Sequence, residues 1–232
     1  MIRWEPPGPY EVVFSSRLGG VSEGPYESLN LGRLTGDDAE RVDENRRRLC
    51  AEIGADVERL ALNRQLHSPQ VHQAQAGSVG RPGDGLWTDE PDLPVLALTA
   101  DCLPIALVRV DGERPAVAVL HAGWRGLLAG IVAEGVRTLG GSVQAAIGPA
   151  IGPCCYEVGP DVAQPFAATI GCSVIHGLKL DLWGAAERVL RDAGVDEIER
   201  VDLCTACNSE LFFSHRRTGE PRGVQGVIAR VA

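Results

Sequence analysis

Three residues that commonly bind metals or act in catalysis lie at the ends of apolar segments. His72 occurs in QVHQ, Cys102 in TADCLP and His121 at the start of HAGWRG, directly after the apolar run AVAVL. One thiolate and two imidazoles are ligands that zinc favours, and three protein ligands leave a fourth position open for water or substrate. An open site of this kind indicates catalysis. The spacing matches no local zinc motif, so only the fold could bring the three residues together.

The same residues also allow metal-free interpretations. Cys102 could act as a nucleophile with His121 as its base, because an imidazole that takes the thiol proton generates the reactive thiolate. Backbone N–H groups of the glycine-containing turn at 121–126 could then stabilise a negatively charged oxygen. In a non-catalytic interpretation, Cys102 is an inert buried thiol and each histidine has a structural role.

Four further cysteines form a second candidate cluster. The segments PCC at 153–155 and CTAC at 204–207 offer four sulfurs, the number found in a four-cysteine structural zinc site. Adjacent cysteines point in different directions and rarely bind one metal together, which disfavours this site. The H-x-E signature that accompanies P-C-x-x-C in cytidine-deaminase-type enzymes is absent from the sequence.

The composition indicates a globular protein and argues against several classes. The chain has 232 residues, 44% hydrophobic and 23% charged, and no apolar run approaches the roughly 18 residues of a membrane span. The net charge is −9 and the basic residues are scattered, apart from RRR at 46–48, which argues against a nucleic-acid-binding protein. The N-terminal segment has no apolar run behind a basic stretch, so we expect a cytoplasmic protein with reduced cysteines.

The elements that must position these residues are of both types. We predict a strand at 11–17, a helix in GDDAERVDENRRRLCAEIGA capped by Asp37 or Asp38, and strands in VLALTA, IALVRV and AVAVL. Further predicted elements are a helix at 127–139, a helix after Asp181, and strands in QAAIG, RVDLCT and GVQGVIARV. Many consecutive β segments favour an α+β fold, a layered sandwich of mixed β-sheets with flanking helices. No domain boundary is evident, so we expect a single catalytic domain over 1–232.

The order of the motifs resembles one known family. FSSRLGGVSEGPYESLNLG, SPQVHQ, LTADCLPIAL, HAGWRGLLAGIV, IGPAIGPCCYEVG and CTACNSELFFSHRRTG occur in the order seen in the YfiH/YlmD-type laccase-domain family. This family is also called multicopper polyphenol oxidase-like and purine nucleoside phosphorylase. The resemblance, which begins near Phe14 and extends to the C-terminus, implies the YfiH-like cysteine-hydrolase fold, similar to a bacterial deamidating-toxin domain, with zinc held by a His-Cys-His set.

The resemblance also implies an activity and a ligand set. The family's histidine in QVH falls on His72, its cysteine in ADC on Cys102 and its histidine in HAGWRG on His121. The family is credited with phosphorolysis of adenosine, inosine, guanosine and methylthioadenosine, and with deamination of adenosine. The chain departs from the family at Gln73, where glycine is usual, and at His215, where tyrosine is usual. Both departures bear on substrate preference.

We therefore expect a zinc-dependent purine nucleoside enzyme that binds a nucleoside and phosphate, with no nucleic-acid or membrane partner. Asp101 is expected to move protons and Arg125 to bind phosphate through a bidentate contact. The expected catalytic residues are Cys102, His121, Asp101 and Arg125. The expected substrate-binding residues are Arg125, His215, Arg216 and Arg217.

Three alternatives remain open at this point. One is a Cys102–His121 hydrolase of an amide, such as one in a cell-wall precursor, and another is a binding module in which the metal is structural. The third is a copper-binding polyphenol oxidase. Five histidines and a single methionine at position 1 are too few for several copper sites, so copper is the less favoured metal.

Overall fold

Two six-stranded β-sheets form the framework of the protein. The structure, a computed structural model, describes residues 1–111 and 114–232. The first sheet has the strand order β1-β2-β14-β7-β3-β5 and the second has the order β13-β10-β8-β9-β6-β4. Both sheets contain parallel and antiparallel pairs, and β11 and β12 form a separate two-stranded ribbon. The prediction of an α+β sandwich of mixed sheets is confirmed.

The strands have the following bounds: β1 Ile2–Trp4, β2 Tyr10–Phe14, β3 Ala61–Arg64, β4 Val71–Gln73, β5 Val79–Pro82, β6 Gly85–Thr88, β7 Val95–Thr99, β8 Leu103–Arg109, β9 Val117–Ala122, β10 Val143–Ile147, β11 Ile175–His176, β12 Lys179–Leu180, β13 Ile198–Arg200 and β14 Gln225–Val231. The α-helices are α1 Ala39–Glu52, α2 Trp124–Leu128, α3 Ile131–Leu139, α4 Pro160–Thr169, α5 Leu182–Asp192 and α6 His215–Thr218. Short 3₁₀ helices lie at Gly24–Tyr26, Val57–Arg59 and Cys172–Val174.

The core is divided among three apolar layers because each of the two sheets is covered on both faces. In β8, Ile105 and Leu107 pack with side chains of α2 to α5, whereas Ala106 and Val108 pack against the first sheet. A strand covered on both faces is apolar at successive positions rather than at alternate ones. The other face of the first sheet packs against α1, chiefly through Leu49. The layers are therefore α1, the first sheet, the second sheet and the remaining long helices.

Helix boundaries follow local signals in the sequence. The Asp38 carboxylate caps α1 by accepting hydrogen bonds from the N–H groups of Glu40 and Arg41, as expected for an N-cap aspartate. The helix predicted at 127–139 is instead two helices. Gly130, between α2 and α3, has a φ of 90°, a left-handed conformation that interrupts the helical path.

One further difference concerns the extent of a strand. The strand predicted in RVDLCT is absent, because β13 ends at Arg200 and the chain then enters the turn that contains Cys204. Within 1–111 and 114–232, no helix combines the length and apolarity that would let it cross a membrane.

Candidate metal centre

Three neighbouring strands of the second sheet bring Asp84, Cys102 and His121 to one end of the sheet. His121 belongs to β9 and lies opposite Pro104 of β8, so Cys102, which immediately precedes β8, is close to it. Asp84 immediately precedes β6, on the other side of β9, and its carbonyl accepts the His121 N–H at 2.8 Å. The register of β6, β9 and β8 therefore fixes which residues meet.

His67 joins Cys102 and His121 to complete a three-residue cluster. The potential ligand atoms of these residues all lie within 4.8 Å of one another, and the Cys102 Sγ is 3.9 Å from the His67 Nε2. The two imidazole rings are nearly perpendicular, with centroids 4.8 Å apart. Ligands of one tetrahedral zinc ion lie roughly 3.3–3.8 Å apart, given its usual bond lengths. Small shifts of these side chains would therefore produce an N,N,S zinc site with an open fourth position.

The second histidine of the cluster is His67, and the predicted ligand His72 lies elsewhere. His72 is in β4, where its Nε2 is 2.9 Å from the Pro82 carbonyl oxygen. The sequence contains two Q-x-H segments, QLH at 65–67 and QVH at 70–72, and the QVH motif of the family matches the second by its letters. Only the first lies in the loop after β3 that reaches Cys102. The predicted set is therefore corrected from His72 to His67.

Asp84, which the sequence interpretation missed, holds the cluster together. Its completely buried carboxylate accepts hydrogen bonds from the N–H groups of Leu66, His67 and Ser68 and from the Ser68 hydroxyl, at 2.7–3.1 Å. It also lies 2.8 Å from the Nδ1 of His121. These N–H groups surround the carboxylate as in an anion-binding nest, which explains how His67 is held at a left-handed φ of 59°.

The hydrogen bonds to Asp84 keep its carboxylate charged and orient His121. Burial alone would raise the pKa of Asp84, but His121 and the donors of Ser68 and Leu66 bring the pKa well below its ordinary value. A carboxylate at Nδ1 makes that nitrogen the donor and leaves the Nε2 of His121 facing Cys102. Carboxylate–histidine pairs of this kind orient metal-binding imidazoles.

The charges of the cluster also change the pKa values of Cys102 and His121. Burial would raise the pKa of the Cys102 thiol, but His121 and His67 lower it to about 6. Burial would lower the pKa of His121, but the charges and hydrogen bonds of Cys102 and Asp84 raise it to about 9. Without a metal, the two side chains therefore form a thiolate–imidazolium pair near neutral pH.

A glycine of HAGWRG allows the close packing of the cluster. A Cβ atom at Gly123 would lie 2.9 Å from the Cys102 Sγ and 3.0 Å from the His67 Cδ2. The first distance is shorter than real Cβ contacts and the second is tighter than most of them, so any side chain at this position would displace a potential ligand. Gly126 is different, because a Cβ there would have no neighbour closer than 3.5 Å.

Two arginines and a tyrosine border the cluster. The Arg125 guanidinium lies over the Trp124 ring at 4.2 Å, and the Arg216 guanidinium lies over the Tyr156 ring at 5.1 Å. Burial raises the pKa of Tyr156 to about 12, with Cys102 and Asp101 adding to the shift and the two arginines opposing it. Tyr156, another residue that the sequence interpretation missed, therefore keeps its phenolic proton at neutral pH.

The remaining predicted residues have different surroundings. The Asp101 carboxylate accepts hydrogen bonds from the Thr205 hydroxyl at 2.6 Å and from the Arg216 N–H at 2.7 Å. The Arg217 guanidinium donates to backbone carbonyls of Thr205, Ala206 and Phe212, so in this structure it holds a loop. His215 is exposed at the first turn of α6.

The fold and this cluster define a two-sheet α+β protein with a candidate His-Cys-His metal centre. Residues 11–231 match the family described as multi-copper polyphenol oxidoreductase laccase, and the chain belongs to that family.

Similar proteins cover nearly the whole chain. The chain is 36% identical over 225 residues to a Shigella flexneri protein named purine nucleoside phosphorylase YfiH, covering 93% of this chain and 91% of that one. It is 35% identical over 239 residues to a Geobacillus stearothermophilus protein named purine nucleoside phosphorylase YlmD, with 91% and 85% covered. The crystal structure of Bacillus licheniformis YfiH superimposes with a TM-score of 0.90 at 30% identity, covering 96% of this chain and 93% of that one. The resemblance to the YfiH/YlmD family is confirmed.

Proposed function

We propose that this protein is a zinc-dependent purine nucleoside phosphorylase. The observation that carries the proposal is the cluster of His67, Cys102 and His121, oriented by the buried Asp84 carboxylate. Such a donor set with an open position is typical of catalytic zinc sites. The related proteins from Shigella flexneri and Geobacillus stearothermophilus carry this enzyme name, which supports the same activity here.

The donor set fits zinc better than it fits the copper sites of an oxidase. Multicopper chemistry needs many histidines, whereas the chain has five in total. A blue-copper centre commonly has a weak axial methionine, and the only methionine is Met1, ahead of β1 in the first sheet. When bound at this cluster, zinc would supply positive charge and a Lewis-acid centre.

In the proposed reaction, an oxygen of phosphate forms a bond to C1′ of the ribose while the bond from C1′ to the purine nitrogen breaks. The bonding electron pair goes to the purine, which takes up a proton, and the products are ribose 1-phosphate and the free base. The protein must therefore hold an anion beside the sugar and provide a hydrogen-bond donor for the substrate.

Groups around the cluster are suited to these tasks. Arg125 and Arg216 are exposed and lie over aromatic rings, which orients each planar guanidinium for bidentate contact with phosphate. The Tyr156 hydroxyl, which stays protonated, can donate a hydrogen bond to the nucleoside. We assign phosphate binding to Arg125 and Arg216 rather than to Arg217, because the Arg217 guanidinium donates to three backbone carbonyls, whereas the Arg216 guanidinium donates to one, that of Glu157.

Several finer assignments belong to the same proposal. Adenosine, inosine, guanosine and methylthioadenosine are the proposed substrates of phosphorolysis, and deamination of adenosine at C6 is a proposed second reaction. Asp101 is proposed to position the start of α6 and with it Arg216, through the Arg216 N–H that it accepts. His215 is proposed to contact the nucleoside. We further propose that 1–232 act as one catalytic domain in the cytoplasm.

The direct test combines product analysis with ligand variants. The purified protein is incubated with inosine and phosphate, and hypoxanthine and ribose 1-phosphate are measured. We expect both products in equal amounts from the wild-type chain and loss of both in His67→Ala and Cys102→Ala, while His176→Ala, in the β11–β12 ribbon, serves as a control. Product formation at the wild-type rate by Cys102→Ala would contradict the proposal.

The alignment of Asp84, His121 and Cys102 supports a second candidate function. A carboxylate on Nδ1 of a histidine whose other nitrogen faces a thiolate is the arrangement of a cysteine hydrolase, which would act here on an amide. The two functions differ in metal dependence. A thiol hydrolase should stay active in chelator, be inhibited by zinc and be inactivated by alkylation, whereas the proposed phosphorylase should lose activity in chelator.

A further inference from the structure

A second cluster of metal-binding side chains lies outside the candidate metal centre. Its members are Cys154 and Cys155, in the loop between β10 and α4, and Cys204 and Cys207, after β13. The four sulfur atoms all lie within 4.8 Å of one another. The Cys207 Sγ is 3.5 Å from that of Cys154 and 3.3 Å from that of Cys155, and all four are free thiols.

These distances match the requirements of one four-coordinate ion. A tetrahedral zinc site with four thiolates has sulfur atoms about 3.8 Å apart, since each zinc–sulfur bond is about 2.3 Å long. The observed separations lie within roughly 1 Å of that value. The sequence interpretation disfavoured this site because Cys154 and Cys155 are adjacent, but the structure brings both sulfurs close to that of Cys207.

The backbone holds the two cysteine pairs together. Around 152–156 the chain turns tightly, with the N–H groups of Cys155 and Tyr156 both donating to the Gly152 carbonyl at 3.0 Å. The Gly152 N–H in turn donates to the Cys204 Sγ at 3.3 Å. Thr205 N–H donates to the Ala150 carbonyl at 3.0 Å, which joins the two segments beside the sulfurs. The cluster is therefore fixed by main-chain contacts that do not need a metal.

The surroundings of the cluster also suit metal binding. The Gly152 N–H that donates to the Cys204 Sγ can stabilise a thiolate there, and Lys179 ties the backbone of Cys154 by donating to its carbonyl at 2.5 Å. Cys204 is buried, whereas Cys154 and Cys207 are exposed, so an ion could enter from solvent.

We propose that Cys154, Cys155, Cys204 and Cys207 bind a structural zinc ion. On binding, the thiol protons are released to solvent and four sulfur–zinc bonds form, with no change in oxidation state. The ion would clamp the loop that carries Tyr156 to the segment that carries Thr205, whose hydroxyl donates to Asp101 beside Cys102. The site does not depend on the proposed enzymatic activity.

Metal analysis of the reduced protein tests this proposal. After loading with zinc and removal of excess, the wild-type chain should hold about two zinc ions, and both Cys102→Ala and the double variant Cys154→Ser/Cys207→Ser about one. Both serines replace exposed cysteines, which favours folding of the double variant. Cys172→Ser, at an exposed cysteine outside both clusters, is the matched control and should keep the wild-type amount.

Cobalt(II) distinguishes the two sites by their sulfur content. Cobalt bound by four thiolates gives strong sulfur-to-metal charge-transfer absorption, which should persist in Cys102→Ala and in Cys172→Ser and disappear in the double variant. If the double variant does not fold, the single variant Cys207→Ser replaces it and should show a weakened charge-transfer band. An unchanged zinc content and cobalt spectrum in the double variant or in Cys207→Ser would overturn the proposal. The proposal would also be overturned if metal analysis of the wild-type chain found no second metal ion and thiol titration in denaturant found fewer than the seven thiols of the sequence.

Discussion

The buried carboxylate of Asp84 lies 2.8 Å from the Nδ1 of His121 and accepts the N–H groups of the loop that carries His67. One side chain thus orients both histidines of the cluster, one by a direct contact and the other through its backbone. Metal binding, thiol reactivity and local stability should all depend on this relationship.

Asp84→Asn should weaken zinc binding at the His67, Cys102 and His121 cluster by about 10- to 100-fold, the usual effect of removing a partner of a metal ligand. The variant should also lose about 2–5 kcal/mol of unfolding free energy, because a neutral amide replaces a buried acceptor of several hydrogen bonds. Competition with a chromogenic chelator and urea unfolding measure the two effects. Asp196→Asn, at an exposed position, is the control, and equal affinities of both variants would argue against the role of Asp84.

His67→Ala should remove zinc from the candidate centre, whereas His72→Ala should retain it. The reason is geometric, since the His67 Nε2 is 3.9 Å from the Cys102 Sγ and the His72 Nε2 contacts the Pro82 carbonyl. Both variants are prepared in the Cys154→Ser/Cys207→Ser background so that only one site is counted. Zinc loss in His72→Ala with retention in His67→Ala would reverse the ligand assignment.

Gly123→Ala should damage the centre while Gly126→Ala should be tolerated. The new methyl group at 123 would lie 2.9 Å from the Cys102 Sγ, so we expect loss of zinc affinity and a cost of about 1–3 kcal/mol in stability. At 126, within α2, alanine meets only an ordinary contact at 3.5 Å and favours the helix by up to about 1 kcal/mol. Thermal unfolding and metal content of the pair provide the comparison, and similar losses in both would exclude the steric explanation.

In metal-stripped protein, the alkylation rate of Cys102 should depend on pH in an unusual range. Because the pKa of the thiol is lowered to about 6, the thiolate predominates at neutral pH and the rate should fall as the pH drops through that value. Ordinary cysteines reach half their maximal rate near about pH 8.5. Mass spectrometry of iodoacetamide-treated protein follows the site. His121→Ala should shift the midpoint upward, and an unshifted midpoint would contradict the proposed ion pair.

Arg125→Lys and Arg216→Lys should each raise the KM for phosphate by about tenfold, with a smaller effect on the KM for inosine. A lysine keeps the charge but loses the planar, bidentate contact and the stacking on the aromatic ring. Initial rates at varied phosphate and varied inosine separate the two constants. Arg188→Lys, on the exposed face of α5, is the control. An equal rise in both constants would indicate a general disturbance of the site.

Local sequence signals predicted much of the fold. The α+β class followed from many short β segments, and the position of α1 followed from its cap at Asp38 and its apolar stripe. The single helix predicted at 127–139 was wrong because Gly130 takes a left-handed conformation, which separates α2 from α3.

The sequence by itself determined that Cys102 and His121 stand at strand ends, where side chains can meet in a site. The assignment of His72 as the second histidine of the cluster had to be corrected to His67, since both histidines follow a Q-x pattern. No local pattern indicated Asp84, and the four-cysteine cluster was recognised as a candidate but disfavoured because Cys154 and Cys155 are adjacent. Those outcomes belong to the tertiary structure alone. Strand register and loop path place residues together that are far apart in the chain, and neither is encoded in the local periodicity from which strands and helices are predicted.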